Sequence, residues 1–106
     1  MIFLGNAFSL QMLNIEKEVK VNIKPLSKEE FKSELGEEFV SAVGHADTAQ
    51  VLSEELQVEV PMNRVFVSLG KDDTLLVAQL IGGRLPEGAI TLPEGFEFKY
   101  FKVTLS

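Results

Sequence analysis

The 106-residue chain is 45% apolar and 25% charged, which fits one soluble globular domain over residues 1–106 and leaves no room for a second. It has one histidine and no cysteine, which excludes a disulfide scaffold, thiolate zinc sites and cysteine nucleophiles. The net charge of −6 argues against a general nucleic-acid coater, whose affinity comes mostly from phosphate neutralisation; an anionic ligand needs a local pocket of backbone N–H groups and arginines instead.

Residues 1–5 (MIFLG) predict a short buried strand, Gly5-Asn6 a turn, and Ala7–Leu13 a short helix. This opening stretch has no basic n-region and is interrupted by Asn6, Ser9 and Gln11, so it does not read as a signal peptide. No run approaches the roughly 18 apolar residues of a membrane helix, and a cytoplasmic protein without membrane partners is the expectation. Over residues 18–24, Val19, Val21 and Ile23 alternate with Lys20, Asn22 and Lys24, the period of a half-buried strand. Ser27-Lys28-Glu29-Glu30 is a capping box between the staple residues Leu26 and Phe31, so a helix runs from Ser27 to about Leu35 and stops at Gly36.

Residues 38–43 (EFVSAV) predict a short strand ending at Gly44-His45. Asp47 or Thr48 is expected to cap the next helix, which reaches about Gln57 with Ala49, Leu52 and Leu56 on one face. Pro61 closes that segment. Residues 64–69 (RVFVSL) predict a strand and Lys71-Asp72-Asp73 a turn. Residues 74–81 (TLLVAQLI) are almost wholly apolar, as a central strand buried on both faces should be. Gly82-Gly83 breaks that strand, 84–95 reads as a loop, and 96–104 alternates aromatic and charged residues as a last strand. This order implies an α/β domain: a mixed sheet of about five strands flanked by two or three helices. In so short a chain dimerisation would add buried surface and help to build a large pocket.

His45 lies between a glycine, which permits close backbone approach, and a helix N-terminus, which offers unpaired N–H donors and a positive dipole end. A histidine there can give a proton to a leaving oxygen, though a histidine hydrogen-bonded in a strand-to-helix corner is the plainer account of this segment alone. Arg84 can fork onto a phosphate, and Glu87 can orient a proton donor, take a proton or hold Arg84; an exposed turn with a weak ion pair is the plainer account. Asn6 and Ser9 could bind ligand polar atoms but are common turn and cap residues. Gln79, a lone amide in an apolar run, needs a backbone or ligand partner. The carboxylates occupy solvated helix and turn positions, so no metal and no cofactor are expected, and no nucleotide-loop or nucleophile-elbow motif occurs.

Four segments together resemble one family: Phe3-Leu4-Gly5-Asn6-Ala7-Phe8-Ser9, the Gly44-His45-x-x-Thr48-Ala49 corner, Asn63-Arg64, and Arg84-Leu85-Pro86-Glu87-Gly88. Their order is similar to that of the small type III anti-CRISPR ring nucleases of archaeal viruses, phages and mobile elements. The resemblance covers nearly the whole chain, and order and spacing carry it. It implies a homodimer that binds cyclic tetra-adenylate at its interface and cleaves it to di-adenylate without a metal, damping type III CRISPR signalling. It places the catalytic histidine on His45, with Arg84 and Glu87, and the ligand contacts on Asn6, Ser9, Gly44, Thr48, Arg64, Gln79 and Arg84. The implied chemistry is attack by a ribose 2′-hydroxyl on the adjacent phosphate, with His45 as general acid. A non-catalytic cyclic-nucleotide sponge or sensor, and a small viral DNA-binding regulator, are the alternatives; duplex binding fits poorly with the negative charge.

Overall fold

The computed structural model describes all residues from Met1 to Ser106. Its strands are β1 (Ile2–Gly5), β2 (Val21–Leu26), β3 (Val40–Ser41), β4 (Thr74–Ile81) and β5 (Glu97–Leu105), and its helices are α1 (Lys28–Leu35) and α2 (Ala46–Leu56). The strands form one mixed sheet in the order β2-β5-β4-β1-β3. β1 runs parallel to β3 and β4, while β5 is antiparallel to β4 and β2. This is the small α/β domain that the element order predicts. Neither helix is long and apolar enough to cross a membrane.

β4 takes the central place because its sequence can be buried on both sides. Leu76 and Ala78 join Leu4, Phe98 and Tyr100 in a core closed by Phe31 and Leu35 of α1 and by Leu52 and Leu56 of α2. Leu75 and Val77 face the other way, with Val103, under Val67 and Leu69. Both helices therefore cover one face. The second face is covered only in part, by the irregular segments around Phe8, Met12 and Leu13 and around Val67 and Leu69.

α1 forms as its capping box dictates. Ser27 Oγ accepts from Glu30 N–H at 3.1 Å, and Ser27 N–H donates to Glu30 Oε1 at 2.9 Å. The backbone donor of Ser27, and then its hydroxyl, hold the Glu30 carboxyl below its ordinary value. The sign follows: this contribution is complete above the carboxylate's unfolded pKa and fades as pH falls through the lowered folded one. Ser27→Ala is expected to cost about 1 kcal/mol, measured as a lower denaturation midpoint at neutral pH.

Four of the expected elements differ in the fold. Ala7–Leu13 shrinks to a 3-10 turn at Leu10–Met12. The strand expected over 38–43 shrinks to Val40–Ser41, because its outer edge is taken by irregular chain: Asn63 N–H donates to Val43 O at 2.8 Å. Residues 64–69 form no strand. They lie across the second sheet face, where Val67 and Leu69 are buried, and only Leu69 bridges to Leu13. A segment stacked on a sheet face shows the same alternating burial as a strand but has no neighbour in the plane to pair with. The strand expected over 18–24 is displaced to Val21–Leu26 and includes Pro25, which β2 tolerates because it is an edge strand.

Candidate functional site

Parallel strands β1, β3 and β4 end at the same margin of the sheet, the margin where α/β sheets commonly bind ligands. The chain leaving β3 passes through Gly44 and His45 into α2, and the chain leaving β4 passes through Gly82 and Gly83 to Arg84.

The β3 exit is held rigidly. Ser41 Oγ donates to Pro61 O at 2.6 Å, and Asn63 Nδ2 donates to Ser41 O at 2.7 Å. Arg64 Nε donates to Gly44 O at 2.8 Å. A Cβ on Gly44 would come within 3.2 Å of Arg64 Cγ, so the arginine side chain would have to give by a few tenths of an ångström to stay across this corner.

His45 itself is the N-cap of α2, and its side chain makes no capping bond. The first helical hydrogen bond is Ala49 N–H to His45 O at 3.0 Å, so the N–H groups of Ala46, Asp47 and Thr48 have no partner within the helix. This corrects the expected capping. Asp47 and Thr48 stand inside the first turn, and Asp47 Oδ2 accepts from Gly88 N–H at 3.2 Å instead.

The two exits meet. His45, Asp47, Thr48, Arg84 and Glu87 line one cavity of about 620 Å³, with Leu80 and Leu85 as its apolar wall. The molecule's three ion pairs join Met1 to Asp73, Lys28 to Glu55 and Lys102 to Glu34. Arg84 and Glu87 are in none of them, so the guanidinium is open to an anion. On its other side His45 borders a second cavity of about 570 Å³, lined by Gly44, Arg64, Val65 and Phe66. The histidine therefore stands between two arginines, with the unpaired N–H groups of α2 beside it.

The remaining sequence candidates lie elsewhere. Asn6 and Gln79 share a third cavity, of about 310 Å³, on the second sheet face with Phe8, Ile23 and Phe101. Ser9 caps the 3-10 turn, its Oγ accepting from Gln11 N–H at 3.1 Å. No three His, Asp or Glu side chains converge to hold a metal ion. Two residues at the site had no reading of this kind in the sequence. Asp47 at a helix start reads as a cap, and Phe66 reads as part of a strand.

A family model described as STIV B116-like matches residues 2–104. Uncharacterized protein 26 of Sulfolobus islandicus filamentous virus is 40% identical over 91 residues, covering 85% of this chain and 75% of the viral protein. Uncharacterized protein ORF117 of Acidianus two-tailed virus is 36% identical over 98 residues, covering 82% of this chain and 81% of its own. Among solved structures, B116 of Sulfolobus turreted icosahedral virus superposes with a TM-score of 0.81 at 26% identity, covering 97% of each chain.

Proposed function

This chain belongs to the STIV B116-like family, with relatives in archaeal viruses, and on that premise we propose that it is a ring nuclease that binds cyclic tetra-adenylate and cleaves it to di-adenylate. The convergence of His45, Arg84 and Glu87 on one cavity carries this reading. They come from two separate loops, and a purely structural role for each would not require them to meet.

The chemistry asked of the site is modest. A ribose 2′-hydroxyl attacks its own adjacent phosphorus in line with the departing 5′-oxygen. The 2′-oxygen–phosphorus bond forms, the bond to the 5′-oxygen breaks, and the hydroxyl proton passes to water. His45 gives its proton to the departing oxygen, leaving a 5′-hydroxyl and a 2′,3′-cyclic phosphate. Arg84 and the free N–H groups at the start of α2 stabilise the charge on the phosphorane-like transition state. Glu87 orients the imidazole. Arg64 and Gly44, on the far side of His45, and Thr48 beside it hold the neighbouring nucleotide.

One protomer offers an open site: His45, Arg84 and Glu87 are all exposed. The second sheet face is covered only in part: Ile23 on it is 57% exposed and Phe66, in the segment that crosses it, is 74% exposed. A second copy seated there would enclose the ring and bring Asn6, Ser9 and Gln79 to it. A two-fold axis also matches a ring of four identical nucleotides, with one His45 serving each of two opposite phosphodiesters.

The test is incubation with cyclic oligoadenylates of several ring sizes, with and without a chelator, alongside the mass in solution. Conversion of the four-membered ring to di-adenylate by a dimer, unaffected by chelator, is the expected result. Tight binding without turnover at high protein concentration would replace the enzyme with a ligand sink. No binding at all would end the reading.

A further inference from the structure

Residues 82–96, the loop that carries Arg84 and Glu87, make a single hydrogen bond to another part of the chain: Gly88 N–H to Asp47 Oδ2. Its other bonds are internal, Ala89 N–H to Pro86 O and Phe96 N–H to Pro93 O. Beyond that bond the loop is held by apolar packing of Leu85, Ala89 and Leu92 on the core. Asp47 belongs to the same helical turn as the cap His45, and Gly88 directly follows Glu87. A carboxylate is also an unfavourable neighbour for a phosphate. Its presence in a cavity with a free arginine is offset in two ways: as an acid in the first turn of α2 it suits the helix dipole, and it accepts from Gly88, the one bond that ties the loop to the rest of the chain.

We infer that Asp47 is a positioning residue: it fixes the loop bearing Arg84 and Glu87 against the turn bearing His45, and so sets the distance between the proton donor and the groups that receive the phosphate. The inference rests on the ring-nuclease reading for its kinetic consequence, though not for the bond itself.

Two substitutions separate this role from its alternatives. Asp47→Asn and Asp47→Ala both remove the negative charge, and both remove the favourable acid from the first turn of α2. Only Asn keeps an oxygen that can accept from Gly88. If Asp47 acted merely through charge or helix stability, the two variants would behave alike. With a positioning role, Asp47→Ala lowers kcat by about tenfold, the effect of one lost hydrogen bond of ordinary strength. Asp47→Asn keeps kcat within about threefold and lowers KM, since the anionic ligand meets less repulsion.

The second readout needs no substrate. Amide hydrogen exchange at Gly88, followed by NMR in the free protein, should be about fivefold faster in Asp47→Ala than in the wild type or Asp47→Asn. Equal exchange at Gly88 in all three proteins, or equal loss of kcat in both variants, would overturn the inference. Should the wild type not cleave cyclic tetra-adenylate, the ring-nuclease reading fails while the exchange measurement still decides whether Asp47 holds the loop.

Discussion

His45→Ala is expected to slow cleavage of cyclic tetra-adenylate by about 10²–10⁴-fold, the range that general acid catalysis contributes, while binding stays within a few-fold. The asymmetry follows from where the histidine stands. Its imidazole is exposed, forms no capping bond and joins no ion pair, so its removal takes nothing from the fold. The groups proposed to hold the phosphates, Arg84, Arg64 and the N–H donors opening α2, are untouched by the change. Ligand binding can therefore be measured directly in the variant, by calorimetry or retention on a filter, and compared with single-turnover cleavage. A variant that binds and cleaves at the wild-type rate would remove His45 from the mechanism. One that neither binds nor cleaves would assign it to recognition rather than proton transfer.

Much of the frame was legible because the responsible signals are local. The capping box at Ser27–Glu30 set the start of α1 at the residue observed, and the unbroken apolar run of 74–81 marked the central strand. The 64–69 segment shows where such signals stop, because a burial pattern does not by itself specify backbone pairing. Val67 and Leu69 turn inward over a sheet face, and nothing in a period of two distinguishes that from a strand edge. The site was legible in a different way. Local chemistry made His45, Arg84 and Glu87 each more plausible as structural residues, and only the order of the motifs put them together. Their meeting in one cavity is a property of topology: parallel β3 and β4 flank β1, which brings two loops distant in sequence to one margin. Asp47 escaped because its partner is a backbone N–H of the other loop, and backbone partners leave no mark on residue type.

Gly82→Ala is expected to be the most damaging single-methyl change outside the core, costing about 2–3 kcal/mol and cutting cleavage by about 10²-fold. Gly82 and Gly83 have φ of 121° and 129°, where any L side chain is strained. They differ in what surrounds them. A Cβ on Gly82 would lie 3.0 Å from Gly95 O and 3.0 Å from Phe96 Cα, both backbone atoms, whereas the nearest atom to a Cβ on Gly83 is Phe96 Cζ at 3.8 Å. Gly83→Ala therefore carries the dihedral strain alone, about 1–2 kcal/mol. Gly82→Ala adds a collision that only a backbone shift can relieve. That shift falls where β4 and β5 part, just beyond the Ile81–Glu97 pair, at the root of the loop that carries Arg84 and Glu87. The few tenths of an ångström needed at this root grow along the loop toward both side chains, and misplacement approaching about 1 Å at the proposed site costs about 10²-fold. The pair of variants thus reads strain against displacement. Chemical denaturation should rank Gly82→Ala below Gly83→Ala, and single-turnover cleavage should separate them further than stability does. Equal rates in the two variants would mean that the loop is not positioned from its root, leaving its placement to the packing of Leu85, Ala89 and Leu92 and to the bond from Gly88 to Asp47.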